Sequence, residues 1–281
     1  MELQFSKMHG AGNDYIYIDC FAQEVPNPEE AARFLSDRHF GVGSDGLVLI
    51  LPSETADVRM RMFNADGSEG KMCGNASRCV GKYVYEKGIV RKPELTLETL
   101  SGIKKLFLET EGGEIKSVTV DMGRPVLTPA EIPAAWNGER LIDQPVMVKD
   151  TCYRITAVSM GNPHSVVFCD EVAALPLSEI GPAFETLPLF PERVNTEFVR
   201  VIDSQTLEMR VWERGSGETL ACGTGACASV VAAALNGFCR QSEEITVKLL
   251  GGELKITYTE SGSVLMRGTA THVFDGVVHL I

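Results

Sequence analysis

The sequence has no run of 18 apolar residues, so a membrane-spanning helix is not expected. Its opening, MELQFSKMHG, lacks the charged start and apolar middle of a secretory leader, and a cytoplasmic protein is the expectation. No block of Lys and Arg occurs, and the net charge is −12, which argues against nucleic acid as a partner. There is no CxxC motif. The pairs Cys73–Cys79 and Cys222–Cys227 are spaced too widely for the usual zinc pairs, and no pair of histidines stands beside them, so no metal is expected. What remains is a globular composition, 281 residues with 44% hydrophobic and 23% charged, enough for two domains of ordinary size. Eight cysteines in a reducing compartment should be thiols. Of these, Cys20, Cys152, Cys169 and Cys239 read as small buried hydrophobes.

The chain repeats itself. Gly12-Asn13 returns as Gly161-Asn162, 149 positions on, and Met60-Arg61-Met62-Phe63 returns as Met209-Arg210-Val211-Trp212 at the same offset. From there FNADGSEGKMCGN aligns without a gap on WERGSGETLACGT, placing Cys73 on Cys222, and ELTLETLSG matches EITVKLLGG one further residue out of step. The matched positions are polar turns and cysteines more than core residues, which points to shared chemistry and not only to a duplicated fold.

Each half reads as strands around one helix. RMRMF, LTLETL and GIKKLFLET, with EMRVW, ITVKLL and ELKITYTE, have the pattern of short strands. A helix is predicted after each Cys-Gly: GNASRCVGKYVYEKG, with Val80, Tyr83 and Val84 at helical spacing, and GTGACASVVAAALNG, apolar all round and therefore buried. Gly88 and Gly237 suit the left-handed position that ends each helix. MGRPVLTPAEIPAAW, with three prolines, reads as a linker, and RGTATHVFDGVVHLI as strands returning to the first domain. The expected domains are residues 1–122 plus 268–281, and 123–267.

Cys73 and Cys222 are each predicted at the first turn of a helix, where unpaired N–H groups and the positive end of the dipole gather. The thiol pKa is expected to fall there, into the range of about 3.5–7.5 known for such placements. The amides that follow can hold a carboxylate. If the halves pack about a pseudo-twofold axis, both helix starts face one cleft, with a thiol on each side of a bound molecule. Such a pair suits inversion of a stereocentre: one thiolate removes the α-proton while the opposite thiol delivers one. Inward amides would stabilise the enediolate-like intermediate. His164, in GNPHS, and Glu213, in WERG, are candidates to set the proton inventory of the thiols.

These residues resemble the diaminopimelate epimerase family. The likeness runs from MHGAGNDYIYID through FNADGSEGKMCGN, SMGNPHS, FPERVN and ERGSGETLACGTGAC to GTATHVFDG, nearly the whole chain. The resemblance implies an α/β chain of the α+β type. Its two pseudo-symmetric domains are each a β-barrel-like sheet around a central helix, with the active site in the cleft between them. It implies an isomerase of lysine and peptidoglycan-precursor synthesis, without pyridoxal phosphate, metal or other cofactor, typically a homodimer acting on a small molecule. Cys73 and Cys222 would be the two bases, the first taking the proton from the L,L isomer and the second acting in reverse, with His164 and Glu213 assisting. Asn13, Gly74, Asn75, Gly223 and Thr224 would hold the amino-acid group being inverted. Asn64, Asn162, Asn195, Glu213 and Arg214 would hold the distant centre, where Arg214 can grip a carboxylate as a fork.

Two departures stand out. Ala76-Ser77 occupies a place where the family usually has Gly and an apolar residue, and a methyl at Ala76 is strained if the backbone there needs a positive φ. Some members carry Gln at or beside Gly46, and any side-chain contact from there is missing. Other readings are a related amino-acid racemase such as a histidine racemase-like protein, a non-catalytic amino-acid-binding protein, and a thiol oxidoreductase cycling a Cys73–Cys222 disulfide.

Overall fold

A computed structural model describes residues 1–280. Backbone contacts divide it into two compact units, residues 1–121 with 267–280, and residues 122–266. In the first lie β1 (Glu2–Gly10), β2 (Asn13–Asp19), α1 (Pro28–Ser36), β3 (Gly46–Leu51), β4 (Val58–Asn64), β5 (Glu69–Gly70), α2 (Gly74–Glu86), β6 (Glu94–Thr99) and β7 (Gly102–Glu111). β8 (Glu114–Gly123) runs across its boundary. The second holds β9 (Gln144–Val148), β10 (Thr151–Ser159), β11 (Pro163–Phe168), α3 (Leu177–Glu185), β12 (Asn195–Asp203), β13 (Thr206–Glu213), β14 (Gly217–Glu218), α4 (Gly223–Leu235), β15 (Glu244–Leu249) and β16 (Gly252–Tyr258). β17 (Val264–Gly268) crosses the second boundary, and β18 (Thr271–His279) pairs antiparallel with β1 in the first unit.

The two units repeat one order of pairings. In the first, β1–β2 is antiparallel, β2–β3 parallel, β3–β4 antiparallel, β4–β6 parallel and β6–β7 antiparallel. In the second, β10–β11 is antiparallel, β11–β12 parallel, β12–β13 antiparallel, β13–β15 parallel and β15–β16 antiparallel. The fold is therefore mixed and sheet-dominated, with α2 between β4 and β6 and α4 between β13 and β15. The strands follow their alternation: in β6 the inward Leu95, Leu97 and Thr99 are buried while their neighbours are not. α4 lies against β10, β11, β12, β13, β15 and β16 of its own unit and is buried on nearly every face, as its all-round apolar sequence predicts. α2 buries Cys79, Val80 and Val84 and leaves Tyr83 half-covered. Gly88 and Gly237 end these helices at φ 74° and 76°.

Two turns matter for the site. Gly10 pairs with Asn13, so Ala11 and Gly12 form a two-residue loop with φ 53° and 82°, the doubly positive pattern that matches strand twist. The corresponding loop of the second unit turns at Gly161, φ 99°, just before Asn162. The repeated Gly-Asn is thus a repeated turn that carries an asparagine to the start of a strand.

Two expectations need correction. The proline-rich segment is not a bare linker: Val126 bridges Ser159, Pro129–Glu131 forms a 3-10 turn, and Ile132 and Ala134 are buried in the core of the second unit. Among the four cysteines read as buried, only Cys239 is; Cys20 and Cys169 are half-covered and Cys152 is exposed. Cys152 faces Met147 near the outer end of the β9–β10 hairpin, beyond the reach of the core. No helix among the described residues is long and apolar enough to cross a membrane.

Candidate active site

In the first unit the chain enters α2 through Cys73, the N-cap, in extended conformation at φ −135°, ψ 122°. That geometry leaves the first helical N–H groups without intrahelical partners. The Cys73 thiol donates to Asn13 Oδ1 at 3.5 Å, and Asn75 Nδ2 donates to the same oxygen at 3.3 Å. The orientation of Asn13 is held from behind: its Nδ2 donates to Asp45 Oδ2 at 2.8 Å. Asn75 Oδ1 accepts from the fully buried Arg78, Nη2, at 2.8 Å, and Arg78 Nη1 reaches Gly74 O at 3.4 Å. Asn13, Cys73, Gly74 and Asn75 therefore form one group. Asn64 stands apart from their hydrogen bonds, donating to Ser68 Oγ at 2.9 Å at the end of β4.

Both departures from the family pattern are explained locally. Ala76 is the third residue of α2, fully buried and absent from the positive-φ positions, so its methyl costs no backbone strain. Gly46 pairs with Asn64, and a Cβ there would lie 2.1 Å from Phe63 O. No side chain fits at 46, glutamine included.

In the second unit Cys222 caps α4 at φ −116°, ψ 107°, and its Sγ accepts from the Gly225 amide at 3.4 Å. Thr224 Oγ1 lies 3.5 Å from the sulfur. Asn162 Nδ2 donates to that hydroxyl at 3.3 Å, and Asn162 Oδ1 contacts His164 Nε2 at 3.0 Å. His164 Nδ1 contacts Glu197 Oε1 at 2.7 Å, with both side chains wholly buried. Glu213 accepts from Thr219 Oγ1 at 2.5 Å and lies within hydrogen-bonding reach of the Cys222 thiol. Asn162, His164, Glu213, Cys222, Gly223 and Thr224 thus converge. Asn195 is one step back, accepting from the Arg214 amide at 2.9 Å and donating to Pro163 O at 3.2 Å, while Arg214 Nη1 reaches Glu192 O at 3.1 Å.

Burial pushes the Cys222 thiol well above its ordinary pKa, and the carboxylates of Glu213 and Glu197 add to the rise. The Thr224 hydroxyl and Gly225 amide pull the other way. This reverses the expectation of a lowered value: a partial positive charge at a helix start is outweighed by desolvation and two nearby anions. Burial likewise raises Glu213, against its bonds from Thr219 and Cys222 and the proximity of His164. Burial therefore favours the protonated form of both groups.

Ligand atoms of His164, Glu197 and Cys222 lie within 4.8 Å of one another, a spacing open to a metal ion. Both ring nitrogens already have hydrogen-bond partners, and the sulfur accepts from an amide. Glu197 and Asp45 join these groups without belonging to a repeated motif. The available signal for Glu197 was its place two residues after Asn195 on one strand, hence on the same face.

A family model described as diaminopimelate epimerase matches residues 5–128 and 156–273. The chain belongs to the diaminopimelate epimerase family. A relative so named from Acetivibrio thermocellus is 56% identical over 279 residues, covering 99% of each chain. Another from Methanococcus maripaludis is 53% identical, covering 99% of this chain and all of its own. Among solved structures, a probable proline racemase from Agrobacterium radiobacter shares the fold at TM-score 0.74 and 17% identity, covering 99% of this chain and 93% of that one. A phenazine biosynthesis protein of the PhzF family from Bacillus anthracis does so at TM-score 0.71 and 18% identity, over the full length of both. The shared architecture of this family and its structural neighbours is the two-unit α+β fold described above, and the chain is an isomerase by membership.

Proposed function

We propose that the chain interconverts L,L- and meso-diaminopimelate by proton transfer between two cysteines. The observation that carries this reading is the repeated helix start: Cys73 and Cys222 both cap a helix in extended conformation, each within a group of carboxamide and carboxylate side chains. In one direction the Cys73 thiolate removes the α-proton of the L,L substrate. The electron pair of that C–H bond moves into the carboxylate, giving an enediolate. The Cys222 thiol then protonates the opposite face and becomes the thiolate, and the reverse reaction exchanges the roles. Asn13, Gly74, Asn75, Gly223 and Thr224 hold the reacting amino-acid group, with the unpaired amides of the two helix starts receiving the developing charge. Asn64, Asn162, Asn195, Glu213 and Arg214 take the distant amino-acid group. Glu213 and His164 manage the proton on Cys222. The enzyme is proposed to act in the cytoplasm as a homodimer, with neither metal nor pyridoxal phosphate.

The test is purified protein under reducing conditions in D₂O with L,L-diaminopimelate. Solvent deuterium is expected at one α-carbon per turnover, the one that is inverted. Exchange into another amino acid but not this one replaces the substrate and makes the chain a related racemase. Exchange into none makes it a binding protein. Sedimentation as a monomer at assay concentrations refutes the homodimer.

A further inference from the structure

One line of hydrogen bonds in the second unit has a direction. Asn162 Nδ2 can only donate, so Thr224 Oγ1 accepts from it at 3.3 Å. The Thr224 hydrogen is then free to point at Cys222 Sγ, 3.5 Å away. With its nitrogen turned to Thr224, Asn162 presents Oδ1, an acceptor, to His164 Nε2 at 3.0 Å. On the other side of the ring, Nδ1 meets the Glu197 carboxylate at 2.7 Å, also an acceptor. Both ring nitrogens thus face oxygen atoms, the arrangement a ring donating from both sides would take. Two further ionisable groups approach this cluster, Cys222 at the start of α4 and Glu213 at the end of β13.

We propose that Glu197 is a positioning residue that holds His164 as a double donor, and so orients the line His164–Asn162–Thr224 until it ends on a hydroxyl donated to the Cys222 sulfur. A wholly buried carboxylate needs a compensating charge, and the imidazolium at 2.7 Å supplies it. The place of the carboxylate is built. Gly225, in the first turn of α4, lies so close that a Cβ there would stand 2.5 Å from Glu197 Oε1. The helix start therefore rests on the same oxygen that His164 binds, with its positive end toward the anion. Oε2 has no hydrogen-bond partner among the described residues, so the carboxylate's one directed bond is to the ring. The consequence for chemistry is specific: a hydroxyl donor at the sulfur favours the thiolate that Cys222 becomes after giving its proton. If the amide turned over, Thr224 would donate to Asn162 and leave that thiolate without its hydroxyl donor, the Gly225 amide remaining.

The inference rests on the reading of Cys222 as a proton-transfer residue, but its test has a readout apart from activity. In protein labelled with ¹⁵N-histidine, long-range ¹⁵N–¹H spectra of the wild type should show His164 with hydrogen on both ring nitrogens. In Glu197→Gln, which keeps shape but removes charge, the ring should carry one. Turnover should fall by about 100-fold or more, the scale seen when a carboxylate that orients a catalytic imidazole loses its charge. KM should rise as well, because the line orients Asn162 and Thr224, which are placed against the substrate. Glu197→Asp keeps the charge and should restore the doubly protonated ring and part of the turnover. A wild-type ring with a single hydrogen overturns the proposal, as does Glu197→Gln with an unchanged ring or full turnover. Should Glu197→Gln fail to fold, the wild-type and Glu197→Asp spectra decide. Wild-type protein inert toward diaminopimelate would refute the functional reading and leave the ring spectra to judge this one.

Discussion

Replacing Gly225 by alanine puts a methyl carbon where a carboxylate oxygen already sits. The new Cβ would lie 2.5 Å from Glu197 Oε1 and 3.1 Å from its Cδ and Cγ. Carbon contacts favour about 3.5–4.0 Å, so the overlap approaches 1 Å. Glu197 is wholly buried, on a strand paired on both sides, and has no open space to enter. Overpacking of this kind costs about 1–3 kcal/mol. Against it stands the gain of alanine over glycine in a helix, at most about 1 kcal/mol and less in a first turn. The net expectation is a loss of about 1–2 kcal/mol, or a fall in Tm of about 2–8 °C. The larger effect should be on turnover. The carboxylate can yield only by stretching its 2.7 Å bond to His164, and a misplacement near 1 Å costs about 100-fold in rate. Thermal melting with steady-state kinetics on the same preparation reads both. A variant that melts at or above the wild type with full turnover would show that the backbone has room here and that Glu197 is not pinned.

Cys73→Ser and Cys222→Ser should each lower turnover by about 100- to 10,000-fold, the range for loss of a general acid or base, with circular dichroism unchanged; a variant within a few-fold of wild type removes that cysteine from the mechanism. Gly46→Gln should cost about 3 kcal/mol or more, because its Cβ would lie 2.1 Å from Phe63 O, a backbone atom of the paired strand; urea unfolding with wild-type stability would refute the packing described. With limiting iodoacetamide at neutral pH, peptide mass spectrometry should find exposed Cys152 labelled well before Cys222, which is buried and whose thiol is pushed up by burial and two carboxylates; the opposite order contradicts that protonation state. Burial alone would raise Glu185, but the Trp212 indole, the Gly215 amide and Arg193 outweigh it and hold its carboxyl below the usual value. A depressed folded pKa stabilises above the unfolded value of about 4.3 and loses that stability as pH falls through the folded one. Glu185→Gln should therefore lower stability at neutral pH and flatten its decline in acid, and denaturation curves that keep the wild-type acid slope would refute this.

The repeat, the two helix starts and the cysteines that cap them are local patterns, and the sequence alone carries them. Cys-Gly before a helical run, a glycine after it and a Gly-Asn turn ahead of a strand depend on residues within a few positions of one another. The family motifs are local in the same way. What only the tertiary structure decided is which groups meet across the sheet and what that does to their protons. Parallel pairing sets His164 opposite Asn195, and this register carries Glu197 onto His164 and under Gly225 from a strand 33 residues away. No periodicity in the sequence announces that meeting. Cys222 shows the same division: its place at a helix start was legible and pointed to a lowered pKa, yet desolvation and two carboxylates from other strands raise it. A helix dipole is written in the backbone next door, whereas burial and charge are sums over the whole packed unit.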